Sequence, residues 1–363
     1  NTMLQDSYDS EELLGGIIKT INMNYKYNYV FFNSTESLYK KPDGTDYDTI
    51  CVWDFMNSDS VQLVLCPLEH KSAFLRFLYG AYNSLRVARY IKLPFKRMWY
   101  PLYFKNKFKT DDKPLCFVIL NHKLPVDYLK YLKKKHAGCK FVMLHRDFIQ
   151  VSQRTNPELP QNPILDLEMT YDEGDSKRYN FPHFSEYESK IDVPVNKPFE
   201  SDVFFAGRAK DRLPELMDAY HVLVSAGLKV YFFLTGVPKD QQVAYDGIEY
   251  ASRNMSYKEM LYHTVNTRCI LEVTQAGQQG YTSRFLEAVI YGKKLLTSSE
   301  YIKKSKFYNS DNIQIVSSMK DIDVSFVKEG DGFVDYQYHG EFSPYRVIDR
   351  IEEELNKKYP TQE

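Results

Sequence analysis

Cysteine is scarce and unpatterned. The five residues Cys51, Cys66, Cys116, Cys139 and Cys269 make an odd number with no C-x-x-C spacing. That excludes a disulfide framework and a thiolate zinc site, and it points to a reducing compartment. No run approaches the roughly 18 apolar residues that a membrane-spanning helix needs. Neither sign of charge is in excess, with 47 Lys and Arg against 48 Asp and Glu. A wholesale polyanion binder is therefore excluded, although a local basic patch is not. Several catalytic signatures are missing as well. No H-E-x-x-H occurs, the eight histidines are scattered, no G-x-G-x-x-G follows an opening strand, and there is no G-x-S-x-G. These absences weigh against a zinc protease, a dehydrogenase and a serine hydrolase. Asp46-Tyr47-Asp48 and Asp321-Ile322-Asp323 have D-x-D spacing, but both lie in polar, turn-like stretches. No metal site and no cofactor are expected. No signal peptide is visible at Asn1, so the expected location is cytoplasmic, with peripheral contact at the inner face of the cell membrane left open.

What the chain does have is length and aromatic content. At 363 residues, with 30 Tyr and 23 Phe, it exceeds what one compact core ordinarily holds, so two domains are expected. Short β-rich runs alternate with helical patterns, the pattern of α/β layers on parallel sheets. Strands are expected at Tyr29–Phe32, Thr49–Trp53, Leu115–Leu120, Lys140–Leu144 and Leu165–Asp172. Helices are expected at Ser72–Ile91, Val126–His136 and Glu173–Tyr179. Residues 187–200 carry two prolines and no periodicity, and they read as a linker. Beyond them the alternation restarts, with strands at Asp202–Phe205, Lys229–Leu234, Ile248–Tyr250, Cys269–Val273 and Lys294–Thr297. The helices of this half fall at Leu213–Ala226, Tyr257–His263 and Ser283–Tyr291. The expected division is 1–186, the linker 187–200, 201–340, and a closing helix within 341–363 that returns to the first domain.

The stretch from Gln275 to Thr297 follows a strand and opens a helix, where backbone N–H groups and the positive helix end attract an anion. Gly277 and Gly280 allow close approach of a ligand, and Thr282 and Ser283 suit a helix cap that also donates to phosphate. Glu287 lies about one turn further in. This segment resembles the donor-binding element of GT-B glycosyltransferases, in which an E-x7-E motif runs into "LEA", a Gly-Lys pair and an apolar strand. Leu286-Glu287-Ala288, Gly292-Lys293 and Leu295-Leu296-Thr297 reproduce its second half, whereas Gln279 stands where the first glutamate would be. Asp202 to Leu213, with Gly207-Arg208, likewise resembles the first strand and loop of the C-terminal GT-B domain.

The resemblance implies two Rossmann-like, doubly wound α/β domains facing a cleft. It also implies metal-independent transfer of a sugar from a nucleotide-sugar donor to a glycan or lipid-linked acceptor, as in bacterial capsule or lipopolysaccharide synthesis. Gly207, Arg208, Arg212, Asn254, Gln279, Gly280, Tyr281, Thr282, Ser283, Arg284 and Glu287 are the expected donor contacts. In that set Glu287 receives the ribose hydroxyls, and Arg208 and Arg212 offset the diphosphate charge. Any catalytic base is expected at a strand end of the first half, at Asp54, His122 or Asp147, with His145 and Asp172 as further options. From Lys71 to Thr110 there are ten Lys and Arg, eleven aromatics and no acid. That composition suits an acidic acceptor or an anionic membrane surface, and a nucleic-acid partner is not expected. The alternatives are a non-catalytic GT-B-like partner of a transferase, which Gln279 favours, and a nucleotide-sugar epimerase.

Overall fold

The structure, a computed structural model, describes residues 25–33, 45–65, 73, 74, 77, 100, 104, 105, 107–120, 124–274 and 280–360. The chain begins with β1 (Asn28–Phe32), α1 (Tyr47–Cys51), β2 (Val61–Val64), β3 (Leu115–Ile119), α2 (Val126–Lys135) and β4 (Lys140–His145). It continues with α3 (Ile149–Thr155), β5 (Leu167–Thr170) and α4 (Glu173–Tyr179). The five strands form one parallel sheet in the order β2-β1-β3-β4-β5. Every residue of β3 is buried, as a parallel strand covered by helices on both faces requires.

After a stretch without helix or strand come β6 (Ser201–Arg208), α5 (Leu213–Ser225), β7 (Val230–Thr235), β8 (Ile248–Ala251) and α6 (Tyr257–Val265). Then follow β9 (Thr267–Glu272), α7 (Ser283–Ile290), β10 (Lys294–Thr297), β11 (Ile313–Ile315) and α8 (Val324–Lys328). These six strands make a second parallel sheet, ordered β11-β10-β9-β6-β7-β8. The molecule therefore holds two Rossmann-like α/β units, the fold class read from the sequence.

The last helix, α9 (Tyr345–Lys358), crosses back to the first sheet. Its Val347, Ile348, Ile351 and Leu355 share one buried cluster with Tyr29, Phe31, Val118 and Val142. Lys26 N–H and Tyr29 O–H both donate to the Glu352 carboxylate, at 2.8 and 2.5 Å. The two units also touch through α1 and α6. Tyr257 N–H donates to the Thr45 carbonyl at 3.0 Å, and the Tyr47 and Tyr257 rings meet edge-on at 4.8 Å.

Two local expectations need correction. Thr49–Trp53 is not a strand: Asp46 caps α1 by accepting from Thr49 N–H at 3.0 Å, and a 3-10 turn over Trp53–Phe55 follows. The cap and a buried helical face of Thr49, Ile50 and Cys51 outweigh the β preference of the individual residues. The edge strands β2 and β11 were not foreseen, because they have only four and three residues and each carries a central Gln. The helix expected at Ser72–Ile91 lies outside the described residues apart from 73, 74 and 77, which are helical.

Gly292 ends α7 with φ of +63°, and a Cβ there would sit 2.5 Å from the Val334 carbonyl oxygen. Gly292→Ala is expected to cost about 2 kcal/mol, from left-handed backbone strain plus that clash. A shifted urea midpoint at unchanged m-value would show it.

Candidate functional site

Taken from its β8 edge, the second sheet runs β8-β7-β6-β9-β10-β11, so the strand order reverses between β6 and β9. In sheets of this kind ligands bind outside the carboxyl ends of the strands at that reversal. Gly207 and Arg208 end β6 there, and Glu272 ends β9 beside them. Arg212 closes the gap. One guanidinium nitrogen donates to the Arg208 carbonyl at 2.5 Å, and another donates to the Val273 carbonyl. Its Nε is buried without a partner, and burial lowers its pKa. Arg212 is thus a tie across the crevice floor and not the free countercharge that the sequence suggested. Arg208 is exposed, its side chain lying over Gly236, where a Cβ would meet Nε at 3.0 Å. Asn254 accepts from the Thr235 hydroxyl at 3.2 Å at the end of β7.

The head of α7 is built from the expected residues. Thr282 is the N-cap, accepting from Phe285 N–H at 3.4 Å while its hydroxyl donates to Glu272. Glu272 also accepts from Thr297 Oγ1 at 2.5 Å. One buried carboxylate thereby fixes the end of β9, the cap of α7 and the end of β10. Burial raises its pKa, against the lowering effect of the two hydroxyls. Sequence reasoning missed Glu272, although an acid closing an apolar strand just before a glycine-rich loop is a readable signal. Gly280 brings this head against the first unit, with space for a Cβ ending 3.4 Å from the Tyr171 ring. Tyr281 packs on Phe285 and Tyr301, and Ser283 opens the helix. Gln279 lies outside the described residues.

Glu287 is neither a solvated residue nor an open ribose acceptor. It is fully buried, it accepts from the Tyr257 hydroxyl at 2.7 Å, and it is ion-paired with Arg284. Burial pushes its pKa up to about 6, opposed chiefly by Arg284. Arg284 is thus held inward by Glu287. Lys293, the Lys of the Gly-Lys pair, also turns inward, donating to the Thr267 carbonyl at 2.9 Å above the Phe199 and Phe333 rings. Burial lowers its pKa to about 7.

The base candidates of the first unit are dispersed. Asp54 sits in the 3-10 turn and not at a strand end. It accepts from Ser343 Oγ at 2.7 Å, and burial raises its pKa. His122 lies outside the described residues. Asp147 follows β4 and is exposed. His145 is fully buried between Ser152 Oγ at 3.1 Å and Glu168 Oε2 at 3.0 Å, a packing role. Asp172 caps α4 through Asp175 N–H at 2.8 Å. Its other oxygen is buried with no partner. The D-x-D pairs are capping elements, Asp46 for α1 and Asp323 for α8. No described helix is long and apolar enough to cross a membrane.

These features define an α/β protein of two parallel-sheet units, with the head of α7 at the carboxyl edge of the second meeting Tyr171 of the first. No protein-family model matches this chain, and no curated protein matches it. Among solved structures it is similar to an alpha-glucosyltransferase in complex with UDP and a DNA containing an HMU base. That match has 9% identity and a TM-score of 0.48, and covers 90% of this chain and 98% of that one. It is also similar to the trehalose-6-phosphate synthase OtsA, at 12% identity and a TM-score of 0.43, covering 85% and 88%. A third similarity is to the N-terminal domain of a Candida albicans trehalose-6-phosphate phosphatase, at 9% identity and a TM-score of 0.45, covering 89% and 96%. The exclusion of nucleic acid as a partner is corrected, since three of the matched structures hold a glucosyltransferase on DNA.

Proposed function

We propose that this protein is a glycosyltransferase whose nucleotide-sugar donor binds at the carboxyl edge of the second sheet. The observation that carries the reading is the placement of the α7 head. Gly280, Thr282, Ser283 and Arg284 stand beside the strand-order reversal, and Gly280 abuts Tyr171 of the first unit. The helix end and the Ser283 hydroxyl suit a diphosphate. Exposed Arg208 supplies countercharge from β6, offsetting the negative charge that builds up as the diphosphate leaves. The acceptor, a glycan or lipid-linked saccharide of a surface polymer, would enter from the first unit. Apposition of the two units keeps water from the reacting sugar, so that transfer outcompetes hydrolysis. Asp172, just beyond β5 with one buried, unpartnered carboxylate oxygen, is the candidate to act on an acceptor hydroxyl.

Calorimetry with UDP-, GDP-, TDP- and CMP-sugars tests the reading. One donor is expected to bind in the micromolar range, about −8 kcal/mol, and its sugar to move to a saccharide acceptor. Silence across the panel from folded protein would sink the proposal.

A further inference from the structure

Both oxygens of the Glu173 carboxylate are bonded across the boundary between the two units. Glu173 is the first residue of α4, directly after Asp172, which caps that helix. Its Oε1 accepts from the Tyr301 hydroxyl at 2.6 Å, and its Oε2 accepts from Lys304 Nζ at 3.0 Å. Both partners lie in the 3-10 turn Glu300–Lys304 that follows β10 of the second sheet. The Tyr301 ring meets the Tyr281 ring edge-on at 5.1 Å, and Tyr281 packs on Phe285 of α7 at 4.8 Å. A chain of contacts therefore runs from the head of α4 to the head of α7. The bonds from Tyr301 and Lys304 hold the Glu173 carboxyl below its ordinary value, so it is ionised at neutral pH. A hydroxyl donating to a carboxylate makes a charge-assisted bond, about twice as strong as a neutral one. Lys304 contributes less. Its side chain is 58% exposed, against 28% for Glu173, and water screens an ion pair so placed.

We propose that Glu173 is a positioning residue for sugar transfer, fixing the head of α4, and Asp172 with it, against the head of α7. The inference rests on the transferase reading above, in which the acceptor side belongs to the first unit and the donor side to the second. The approach of the Tyr171 ring to Gly280 limits how close the two sides come, but a van der Waals contact has no direction. Two oxygens bonded to two donors set direction as well as distance. Alignment of this kind matters because a displacement of about 1 Å between reacting groups costs on the order of a hundredfold in rate. Donor affinity depends on the second unit and is spared when Glu173 is lost.

The test compares wild type, Glu173→Ala, Tyr301→Phe and the double variant. Tyr301→Phe removes one hydroxyl and keeps the ring that packs on Tyr281, so it breaks the same bond from the opposite unit. Thermal melting checks that each protein is folded, and calorimetry with the UDP-, GDP-, TDP- and CMP-sugars gives the donor Kd. Turnover is followed as nucleotide released from the donor that binds, with mono- and disaccharides as acceptors and with water alone. Each single variant is expected to lower kcat by about ten- to a hundredfold, with Kd changed by less than about threefold. The double variant should lose no more than Glu173→Ala alone, because both substitutions remove one shared interaction. Glu173→Gln, whose amide oxygen still accepts from Tyr301, should recover most of the rate. The inference alone is overturned by a kcat within about twofold of wild type in either single variant. Losses that multiply in the double variant, or a loss of donor affinity that matches the loss of kcat, overturn it equally. Wild type that binds no donor, or binds one without turnover, overturns the transferase reading and the role of Glu173 with it.

Discussion

Glu287→Ala is expected to lower the unfolding free energy by about 3–5 kcal/mol, the usual cost of removing one partner from a buried ion pair. Glu287 has no exposed surface, and the side chain of Arg284 is only 19% exposed. The substitution strands the Arg284 cation, leaves the Tyr257 hydroxyl without its acceptor, and opens a cavity beside Glu188. Chemical denaturation measures the loss directly. A change below about 1 kcal/mol would contradict a buried pair at this position. The size of the effect also governs how binding data are read. A loss of nucleotide affinity in Glu287→Ala would follow from a damaged α7 as readily as from a lost ribose contact. Glu287→Gln keeps the volume and the Tyr257 bond, and is the cleaner probe of recognition.

Arg146→Ala is expected to be comparably damaging, at about 3–5 kcal/mol. Both Nε and Nη2 of Arg146 donate to one Glu186 oxygen, at 3.1 and 2.6 Å, and Nη2 also reaches the Tyr47 hydroxyl at 2.9 Å. Its guanidinium lies over the Tyr187 ring at 4.4 Å. Although burial alone would lower the pKa of Arg146, Glu186 and the surrounding tyrosines hold it above its ordinary value. The pair joins the end of β4 to α1 and to the segment leading into the second unit, so its loss loosens three elements together. Arg146→Leu with Glu186→Leu should recover most of the stability, because the pair is then replaced by apolar volume and neither charge is left alone. A double-mutant cycle followed by thermal unfolding separates the two outcomes.

Much of the fold was legible because buried parallel strands are short, nearly continuous apolar runs. Leu115–Ile119 and Lys140–His145 announce themselves in this way, as do β7, β9 and β10 of the second sheet. The α7 segment was legible for a different reason. Its cap, its glycines and its LEA run are local features, and Thr282 caps the helix as its type and place require. Edge strands were harder, since β2 and β11 have too few residues for a period to show. Residues 49–53 were misread because β-branched composition spoke louder than a single capping Asp46.

The sequence by itself determined the alternation of elements, the two units and the location of helix α7, all of which depend on neighbours within a few residues. It did not determine which acids are solvated. Glu188 sits in a polar, proline-bearing segment and Glu287 on a helix that composition alone leaves half in water, yet both have no exposed surface. Their burial arises where α1, α6, α7 and the returning segment around Phe342 close on one another, elements drawn from opposite ends of the chain. The free energy of a buried charge depends on what surrounds it in space, and no local pattern records that.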